Sequence, residues 1–266
     1  MTNRPRRQRT TSSRRNHKPG WERVSTWYDG MVGNDGSRTH QTIAIPAVLS
    51  LLDTKPGNTI LDLGAGQGVL APHIHAKRAI YTGVDISTTL IQQARARHGA
   101  HGTFFVGDIS SLPSIPGITA GSYNSVVFML SIQDIRHMEK AISSAAWALK
   151  QGGRLVILMT HPAFRIPRQS GWGYDKERKL TYRRVDSYLS RMDIPLRPHY
   201  SGGTPLTRSY HRPIQDYVAA IIKSNLCIDA YVEIPPGAES SAKISNSEKK
   251  AYREIPLFLA LRARKL

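Results

Sequence analysis

Three aspartates at equal intervals are the residues of this 266-residue chain best placed to hold a ligand. Asp62 opens the segment Asp62-Leu63-Gly64-Ala65-Gly66-Gln67-Gly68, Asp85 lies 23 residues later, and Asp108 lies another 23 residues on. Each one belongs to or follows a short apolar segment rich in β-branched residues, which is the pattern of a buried strand. Because the carboxyl ends of parallel strands meet at one edge of a sheet, we expect the three side chains to face one ligand there.

The glycines of the first segment allow a ligand to lie against the backbone. Gly64 and Gly66 permit a tight turn without a side-chain clash, and the helix predicted to follow offers free N–H groups to an anionic group. Val69 stands where a dinucleotide-binding fingerprint has glycine or alanine. The spacing therefore disfavours NAD as the ligand.

The two later aspartates are suited to a nucleoside. A carboxylate at Asp85 has two oxygens and can accept hydrogen bonds from both ribose hydroxyls. Asp108 can accept a hydrogen bond from an adenine amino group, while the Ile109 N–H serves a ring nitrogen. These residue types at the ends of successive strands predict an adenosine-containing ligand.

Alternating apolar patterns predict the elements that position these residues. Strands are predicted over 59–63, 80–84, 103–106, 126–130, 154–159, 226–234 and 256–262. Helices are predicted over 37–53, 67–76, 87–98, 137–149 and 213–224. The last two strands are expected to form a hairpin at the sheet edge, joined by a polar loop over 236–252. Alternating strands and helices indicate an α/β fold, a Rossmann-like doubly wound seven-stranded sheet with an antiparallel edge strand.

The segment 27–159 resembles class I S-adenosylmethionine-dependent methyltransferases of the methyltransferase-11/25 type. The resemblance rests on the glycine-rich segment that begins at Asp62 and on the two later strand-end aspartates. It implies that S-adenosylmethionine is the cofactor, with Gly64, Ala65 and Gly66 around its methionine end and Asp62 on its amino group.

The same resemblance implies further cofactor contacts. Asp85 and the adjacent Ile86 are expected to hold the ribose, and Asp108 and Ile109 the adenine. Phe128, at the tip of the fourth strand, is expected to pass beside the sulfonium.

Tyr28 resembles a residue of an N-terminal lid. It lies in Trp27-Tyr28-Asp29-Gly30, where a lid would cover the methionine moiety and exclude water from the transfer. The alternative is a surface aromatic that anchors the preceding arm.

His161 is the candidate catalytic residue. Methyl transfer is an in-line displacement in which the enzyme mainly aligns the reacting atoms, and an oxygen or nitrogen acceptor also needs a base that titrates near neutrality. His161 directly follows the fifth strand, at the edge where the acceptor must lie; a structural role before Pro162 is the alternative. Asp134 is predicted to be a helix cap. No metal site is predicted.

Residues 161–212 interrupt the alternation and are predicted to form an inserted substrate cap, with one short helix over about 184–191. The segment contains eleven basic and four acidic residues, and aromatic residues alternate with its arginines. The aromatic side chains can wall an apolar pocket, or they can stack on RNA bases while the arginines bind phosphates. A dimer surface is a third alternative, and the oligomeric state is not predicted.

Net charge is the unusual feature of the composition, at +18 with a sequence pI of about 10.3. Residues 1–19 contain seven basic residues and no acidic one, so we expect a disordered basic tail over 1–20 before a methyltransferase domain over 21–266. RNA or ribosome contact through this tail is the alternative.

No apolar run approaches the roughly 20 residues of a membrane span, and Cys227 is the single cysteine. No membrane contact and a cytoplasmic location are expected.

These patterns predict methyl transfer from S-adenosylmethionine to an O, N or C nucleophile of a small organic acceptor. The basic segments favour two alternatives. One is an RNA- or ribosome-directed methyltransferase, and the other is an S-adenosylmethionine-binding assembly factor without transferase activity.

Overall fold

A computed structural model describes residues 20–196, 207–237 and 244–266. Apart from Gly20, the predicted basic tail lies outside these ranges. Within them, the α-helices are α1 Gly20–Val32, α2 Ile45–Leu52, α3 Ala71–Ala76, α4 Thr88–His98, α5 Met138–Ala148, α6 Ile214–Lys223 and α7 Asn246–Glu254. The strands are β1 Thr59–Leu63, β2 Ile80–Asp85, β3 Thr103–Val106, β4 Tyr123–Met129, β5 Leu149–Thr160, β6 Ser170–Asp175, β7 Leu180–Val185, β8 Met192–Leu196, β9 Thr207–His211, β10 Leu226–Ile234 and β11 Phe258–Lys265. A π-helical turn spans His40–Ala44, and 3₁₀ helices span Ile109–Ser114 and Ile132–Asp134.

A seven-stranded sheet forms the centre of the fold, in the order β10-β11-β5-β4-β1-β2-β3. β1 to β5 are mutually parallel, and β11 runs antiparallel to both β5 and β10. This is the Rossmann-like doubly wound sheet that the alternating pattern predicts. Because the strand order reverses between β1 and β4, a crevice opens at their carboxyl ends.

Helices cover both faces of the sheet, and β4 illustrates how its residues divide between them. Val126 and Phe128 belong to the core that packs against α5 and α6. Val127 and Met129 belong to the opposite core, which packs against α2, α3 and α4. Successive side chains of a strand point to opposite faces, so a near-continuous apolar run serves two cores.

The cap segment contains β-hairpins where a helix was predicted. β6 pairs with β7 and β8 pairs with β9, both antiparallel. The predicted helix over 184–191 is wrong, because residues 184–185 end β7 and the chain then turns without helical structure. In the β6–β7 turn, Asp175 accepts hydrogen bonds from the N–H groups of Glu177 and Arg178 and closes the turn.

The predicted loop over 236–252 is also wrong in part, because α7 begins at Asn246. Ser245 and Glu248 form a reciprocal capping box at its start. Within the described residues, no helix is both long and apolar enough to cross a membrane.

Candidate functional site

A cavity of about 320 Å³ lies at the carboxyl ends of the parallel strands. Predicted site residues that line it are Tyr28, Gly64, Gly66, Asp85, Ile86, Asp108 and Ile109. They come from α1, from the turn after β1, from the end of β2 and from the segment after β3. The spacing of the strand-end residues is therefore realised as a single site.

The turn after β1 forms the floor of the cavity. Gly64 has a φ of +77°, and a Cβ there would lie 2.5 Å from the Cβ of Ser131. Gly66 has a φ of +55°, and a Cβ would meet the ring of Tyr28 at 3.5 Å. L-residues with a side chain rarely adopt these angles. The turn thus favours glycine at both positions, and at Gly64 the close approach of Ser131 also excludes a side chain.

Asp85 is held with both carboxylate oxygens fixed by backbone donors. The Gly66 N–H donates to Oδ2 and the Ser87 N–H donates to Oδ1, each at 2.9 Å. Burial raises the pKa of Asp85, while these hydrogen bonds act in the opposite direction. Each oxygen keeps a further lone pair for a ligand hydroxyl.

Asp62 lies behind the cavity wall and is not among the residues that line it. The Tyr81 hydroxyl donates to its Oδ2 at 2.7 Å, and its buried Oδ1 has no hydrogen-bond partner among the described residues. Burial raises the pKa of Asp62 to about 7, and the nearby charge of Asp85 adds to this effect. Asp62 and Asp85 therefore form an acidic region at this end of the cavity.

Ala65 and Phe128 do not line the cavity either. Phe128 is fully buried in the core beside α5. The alternation along β4 sends Phe128 away from the cavity face, whereas Met129 and Leu130, the next two residues, line the wall. Phe128 therefore does not reach the cavity, where its contact with the sulfonium is predicted.

Asp108 caps the 3₁₀ helix that follows β3. Its Oδ1 accepts hydrogen bonds from the N–H of Ser110 at 2.9 Å and from the hydroxyl of Ser110 at 2.7 Å. This local capping orients the start of the helix, where Ile109 also faces the cavity. The pair lies where an adenine contact is predicted.

α1 forms a roof over the cavity through Gly20, Trp21 and Tyr28. The rings of Trp21 and Tyr28 meet edge to face, with centroids 5.4 Å apart. Burial raises the pKa of Tyr28 well above its usual range, and the carboxylates of Asp85 and Asp134 add to the shift. The placement agrees with the lid interpretation of Tyr28.

The roof is fastened to neighbouring elements by polar contacts. Glu22 accepts hydrogen bonds from the Ser87 hydroxyl at 2.6 Å and from the Thr89 hydroxyl at 2.7 Å, at the start of α4. Asp29 pairs with both guanidinium nitrogens of Arg97 at the other end of α4. Such bidentate pairs restrict orientation as well as distance.

The other end of the cavity contains residues that sequence reasoning largely missed as site residues. Trp21, Ile135, Arg136, His137 and Tyr210 line it. Tyr210 is the one described residue of the predicted cap, 161–212, in the wall. No strand-end periodicity marks these positions, because they come from a roof helix, a short loop and a hairpin strand.

Asp134 also lines this end, and the prediction that it is a helix cap is wrong. The N-cap positions of the 3₁₀ helix and of α5 are Ser131 and His137. Asp134 is instead the last residue of the 3₁₀ helix. Burial raises its pKa to about 7, although hydrogen bonds from Ser209 and Gln133 offset part of this.

His161 lies outside the cavity, buried at the end of β5. Its Nε2 lies 2.9 Å from Glu233 Oε1, and its Nδ1 accepts a hydrogen bond from the Ala163 N–H at 3.2 Å. Because Nδ1 accepts, Nε2 must carry the proton and donate to Glu233. Burial lowers the pKa of His161, with Glu233 opposing the shift. This geometry joins β5 to β10.

Several cap arginines are used in the packing of the cap itself. The guanidinium groups of Arg165 and Arg183 lie 5.1 and 5.2 Å from the ring centroid of Trp172. Arg165 donates to the Pro256 carbonyl and Arg183 to the Phe164 carbonyl. Burial lowers the pKa of Arg165 to about 10. These contacts explain the alternation of arginine with aromatic residues in structural terms.

The residues at the strand ends fit S-adenosylmethionine. The cofactor carries an ammonium and a sulfonium, which complement the acidic region of Asp62 and Asp85. The paired oxygens of Asp85 suit two ribose hydroxyls. At Gly64 and Gly66 no side chain separates the backbone from a ligand. Across the described ranges, no group of three or more His, Cys, Asp or Glu side chains is arranged to hold a metal ion.

Comparison with known proteins agrees with this site. Residues 60–153 match the family model described as a methyltransferase domain. The structure of an S-adenosylmethionine-dependent methyltransferase from Mesorhizobium loti is similar at a TM-score of 0.67 and 25% identity, covering 88% of this chain and 100% of that one.

Curated relatives match about half of the chain. The ubiquinone biosynthesis O-methyltransferase of Vibrio parahaemolyticus is 27% identical over 136 residues, which are 50% of this chain and 57% of that protein. The demethylmenaquinone methyltransferase of Tropheryma whipplei is 27% identical over 121 residues, which are 44% and 48% of the two chains. The chain thus spans about half the length of these curated relatives.

In its fold, its cavity and these comparisons, the chain is similar to class I S-adenosylmethionine-dependent methyltransferases. The match to the methyltransferase domain covers β1 to β4, α5 and the start of β5, and so includes the turn after β1 that forms the floor of the cavity.

Proposed function

We propose that this protein transfers the methyl group of S-adenosylmethionine to a small organic acceptor bound at the Trp21 and Tyr210 end of the same cavity. The observation that carries this proposal is the continuity of the cavity from the strand-end residues to the aromatic end under α1. Bound S-adenosylmethionine supplies an activated methyl group. The chain aligns the acceptor with that group and excludes water through its roof.

The electrostatics of the lining favour a small molecule over a nucleic acid. Asp85, Asp108 and Asp134 contribute acidic groups, whereas Arg136 is the lining residue that bears a permanent positive charge. A phosphate backbone is bound by several cations at once. A volume of about 320 Å³ is also at the lower end of small-molecule sites.

Two relatives point in the same direction. They are named for ubiquinone biosynthesis and for demethylmenaquinone, and not for a nucleic acid. The aromatic side chains of Trp21 and Tyr210 suit a flat or apolar acceptor. We further propose that residues 21–266 act as one domain and that the protein works in the cytoplasm, where the exposed thiol of Cys227 stays reduced.

Binding and transfer are tested in two assays. Calorimetry with S-adenosylmethionine compares the protein with Asp85→Asn, for which we expect at least a 30-fold loss of affinity because two ribose hydrogen bonds weaken. Glu177→Gln, an exposed carboxylate of the β6–β7 turn, is the matched control and is expected to bind normally.

The second assay adds methyl-labelled S-adenosylmethionine to cell extract separated into small-molecule, protein and RNA fractions. Label in the small-molecule fraction supports the proposal. Label confined to RNA or ribosomal protein would overturn the acceptor class. Cofactor binding with no label in any fraction would instead favour an assembly factor without transferase activity.

A further inference from the structure

The loop after β4 brings an acidic side chain over the reacting end of the cavity. Leu130 has a φ of +57°, a left-handed conformation that bends the chain out of the sheet and across the strand ends. Ser131 then packs on the Gly64 turn, and Asp134 follows one turn of 3₁₀ helix later. Asp134 and Gly64 therefore line the same cavity from adjacent segments.

Several hydrogen bonds fix this loop. The Ser131 hydroxyl donates to the Leu63 carbonyl and the Gln133 amide donates to the Leu130 carbonyl, both at 2.6 Å. On the other side, the Arg212 guanidinium donates to the Ile135 carbonyl at 2.9 Å and to the Arg136 carbonyl at 2.8 Å. Asp134 thus lies between two anchored points, and a fixed group is what an alignment-controlled reaction needs.

Asp134 is held by hydrogen bonds from Ser209 and Gln133 and not by a cation. Among the described residues, no Lys, Arg or His is in ion-pair contact with it.

The groups that face Asp134 come from several elements. They are Tyr28 on α1, Arg136 and His137 on its own loop, Ser209 and Tyr210 on β9, Arg212 directly after β9, and Tyr217 on α6. Tyr28 and Tyr217 both have a raised pKa, to which the charge of Asp134 contributes. These phenols are poor proton acceptors at neutral pH, whereas the Asp134 carboxylate is able to accept a proton there.

We propose that Asp134 is the general base that takes the proton from a hydroxyl of the acceptor, which makes phenols and enols the acceptor class; this rests on the proposed function. The acceptor oxygen forms a bond to the methyl carbon while the carbon–sulfur bond breaks. The electron pair of that bond stays on sulfur, leaving a neutral thioether. The hydroxyl proton passes to an Asp134 oxygen and then to water.

The basicity of Asp134 is matched to the acidity of a phenol. A carboxyl group with a pKa of about 7 is a much stronger base than an exposed aspartate and still ionises at physiological pH. A phenol is acidic enough to share its proton with such a base as the new bond forms. The rings of Trp21 and Tyr210 line the same end and suit an aromatic acceptor.

The test compares the protein with Asp134→Asn, with catechol and 4-nitrocatechol as probe acceptors. Initial rates of thioether product formation are measured between pH 5.5 and 9. With catechol, the rate of the protein should rise through about pH 7, and Asp134→Asn should be about 100-fold slower at pH 7.5. With 4-nitrocatechol, which is largely ionised at that pH, Asp134→Asn should lose less than about threefold.

Two controls separate chemistry from folding. Asp134→Asn should bind S-adenosylmethionine with unchanged affinity by calorimetry. Glu139→Gln, an exposed carboxylate in the first turn of α5, should leave the catechol rate and its pH profile unchanged.

Each remaining outcome is decisive. Equal loss with both probes, or a catechol rate of Asp134→Asn within threefold of the protein, would overturn the role of Asp134 and leave the proposed function standing. Transfer to neither probe, with label still entering a small-molecule fraction of extract, would overturn the acceptor class. No transfer in either assay despite cofactor binding would overturn the proposed function and this inference with it.

Discussion

The two ends of the cavity are made in different ways. At the end predicted to hold the cofactor, main-chain groups dominate, with the Gly64 turn as the floor and the Gly66 and Ser87 N–H groups fixing Asp85. At the acceptor end, side chains dominate, and they come from α1, from the loop after β4 and from β9.

This difference determines which end of the cavity tolerates substitution of its residues. Main-chain geometry is set by the sheet and tolerates few substitutions, because a Cβ at Gly64 meets Ser131. The acceptor end depends on side chains such as Trp21, Ile135 and Tyr210, which can be exchanged without altering the sheet. One cofactor site is therefore compatible with many acceptor specificities on the same fold.

The largest loss of S-adenosylmethionine binding is expected from Gly64→Ala. The added Cβ would lie 2.5 Å from the Ser131 Cβ at a φ of +77°, so the turn must move. We expect S-adenosylmethionine binding to fall by more than about 100-fold, measured by calorimetry. Gly121→Ala is the matched control, since Gly121 also has a positive φ of +59° but no atom within 4 Å of its Cβ position. If both variants bind the cofactor normally, the main-chain account of this end is wrong.

The contacts between α1 and α4 provide the next test. Arg97→Ala removes the pair with Asp29 and leaves the roof less firmly attached. We expect the cofactor to dissociate about 10-fold faster in stopped-flow measurements, with a smaller change in association. Met31→Ala, at a half-exposed position of α1, should not change either rate. An unchanged dissociation rate for Arg97→Ala would show that the roof does not retain the cofactor.

A several-fold change in the affinity for S-adenosylmethionine is expected between pH 6 and pH 8. The pKa of Asp62 is raised to about 7 by burial, so this carboxyl gains negative charge as pH rises from 6 to 8. S-adenosylmethionine is cationic, and its affinity should therefore increase about 3- to 10-fold over that range. Calorimetry at both pH values measures this, and Asp62→Asn should reduce the increase.

The same group makes a prediction for stability with the opposite sign. Because the folded protein holds the Asp62 proton more tightly than the unfolded chain, its contribution to the free energy of unfolding is lost as pH rises from about 4 to about 7. Urea denaturation of the cofactor-free protein should show this loss relative to Asp62→Asn. A difference between the two that is constant with pH would contradict the raised pKa.

The smallest effect on the cavity is expected from His161→Phe. His161 joins β5 to β10 through Glu233 and does not line the site. Loss of its two hydrogen bonds should lower the free energy of unfolding by about 1–3 kcal/mol, measured by urea denaturation. Cofactor affinity should be unchanged, and Glu233→Gln should give a smaller loss of stability. A selective loss of transfer rate in a stable His161→Phe protein would restore His161 as a candidate base.

The cofactor end was largely predictable from the sequence because spacing determines it. Asp85 ends β2 and Asp108 lies two residues after the end of the parallel strand β3, so their positions along the chain fix their positions in space. Phe128 shows the limit of this reasoning, since it lies one residue from the cavity-lining Met129 but points to the opposite core.

The acceptor end was less predictable because its residues meet through tertiary packing. Asp134 lies in a three-residue 3₁₀ helix whose direction depends on the left-handed Leu130, and a single sequence does not mark that turn. Other errors had available signals. The capping box of Ser245 and Glu248 indicates the start of α7. Asp175 indicates the turn that joins β6 and β7 in a hairpin.

The fastening of α1 also has a kinetic consequence. The Gln67 side chain donates to the Gly33 carbonyl at 2.8 Å, so the segment after the roof is tied directly to the glycine turn at the floor of the cavity. A nucleoside lying on that turn is covered by Tyr28, whereas Arg136 and His137 border the opposite end of the cavity. Turnover should then follow a compulsory order, with the nucleoside first to enter and last to leave. Product inhibition by the demethylated nucleoside would be competitive against the methyl donor and non-competitive against the acceptor.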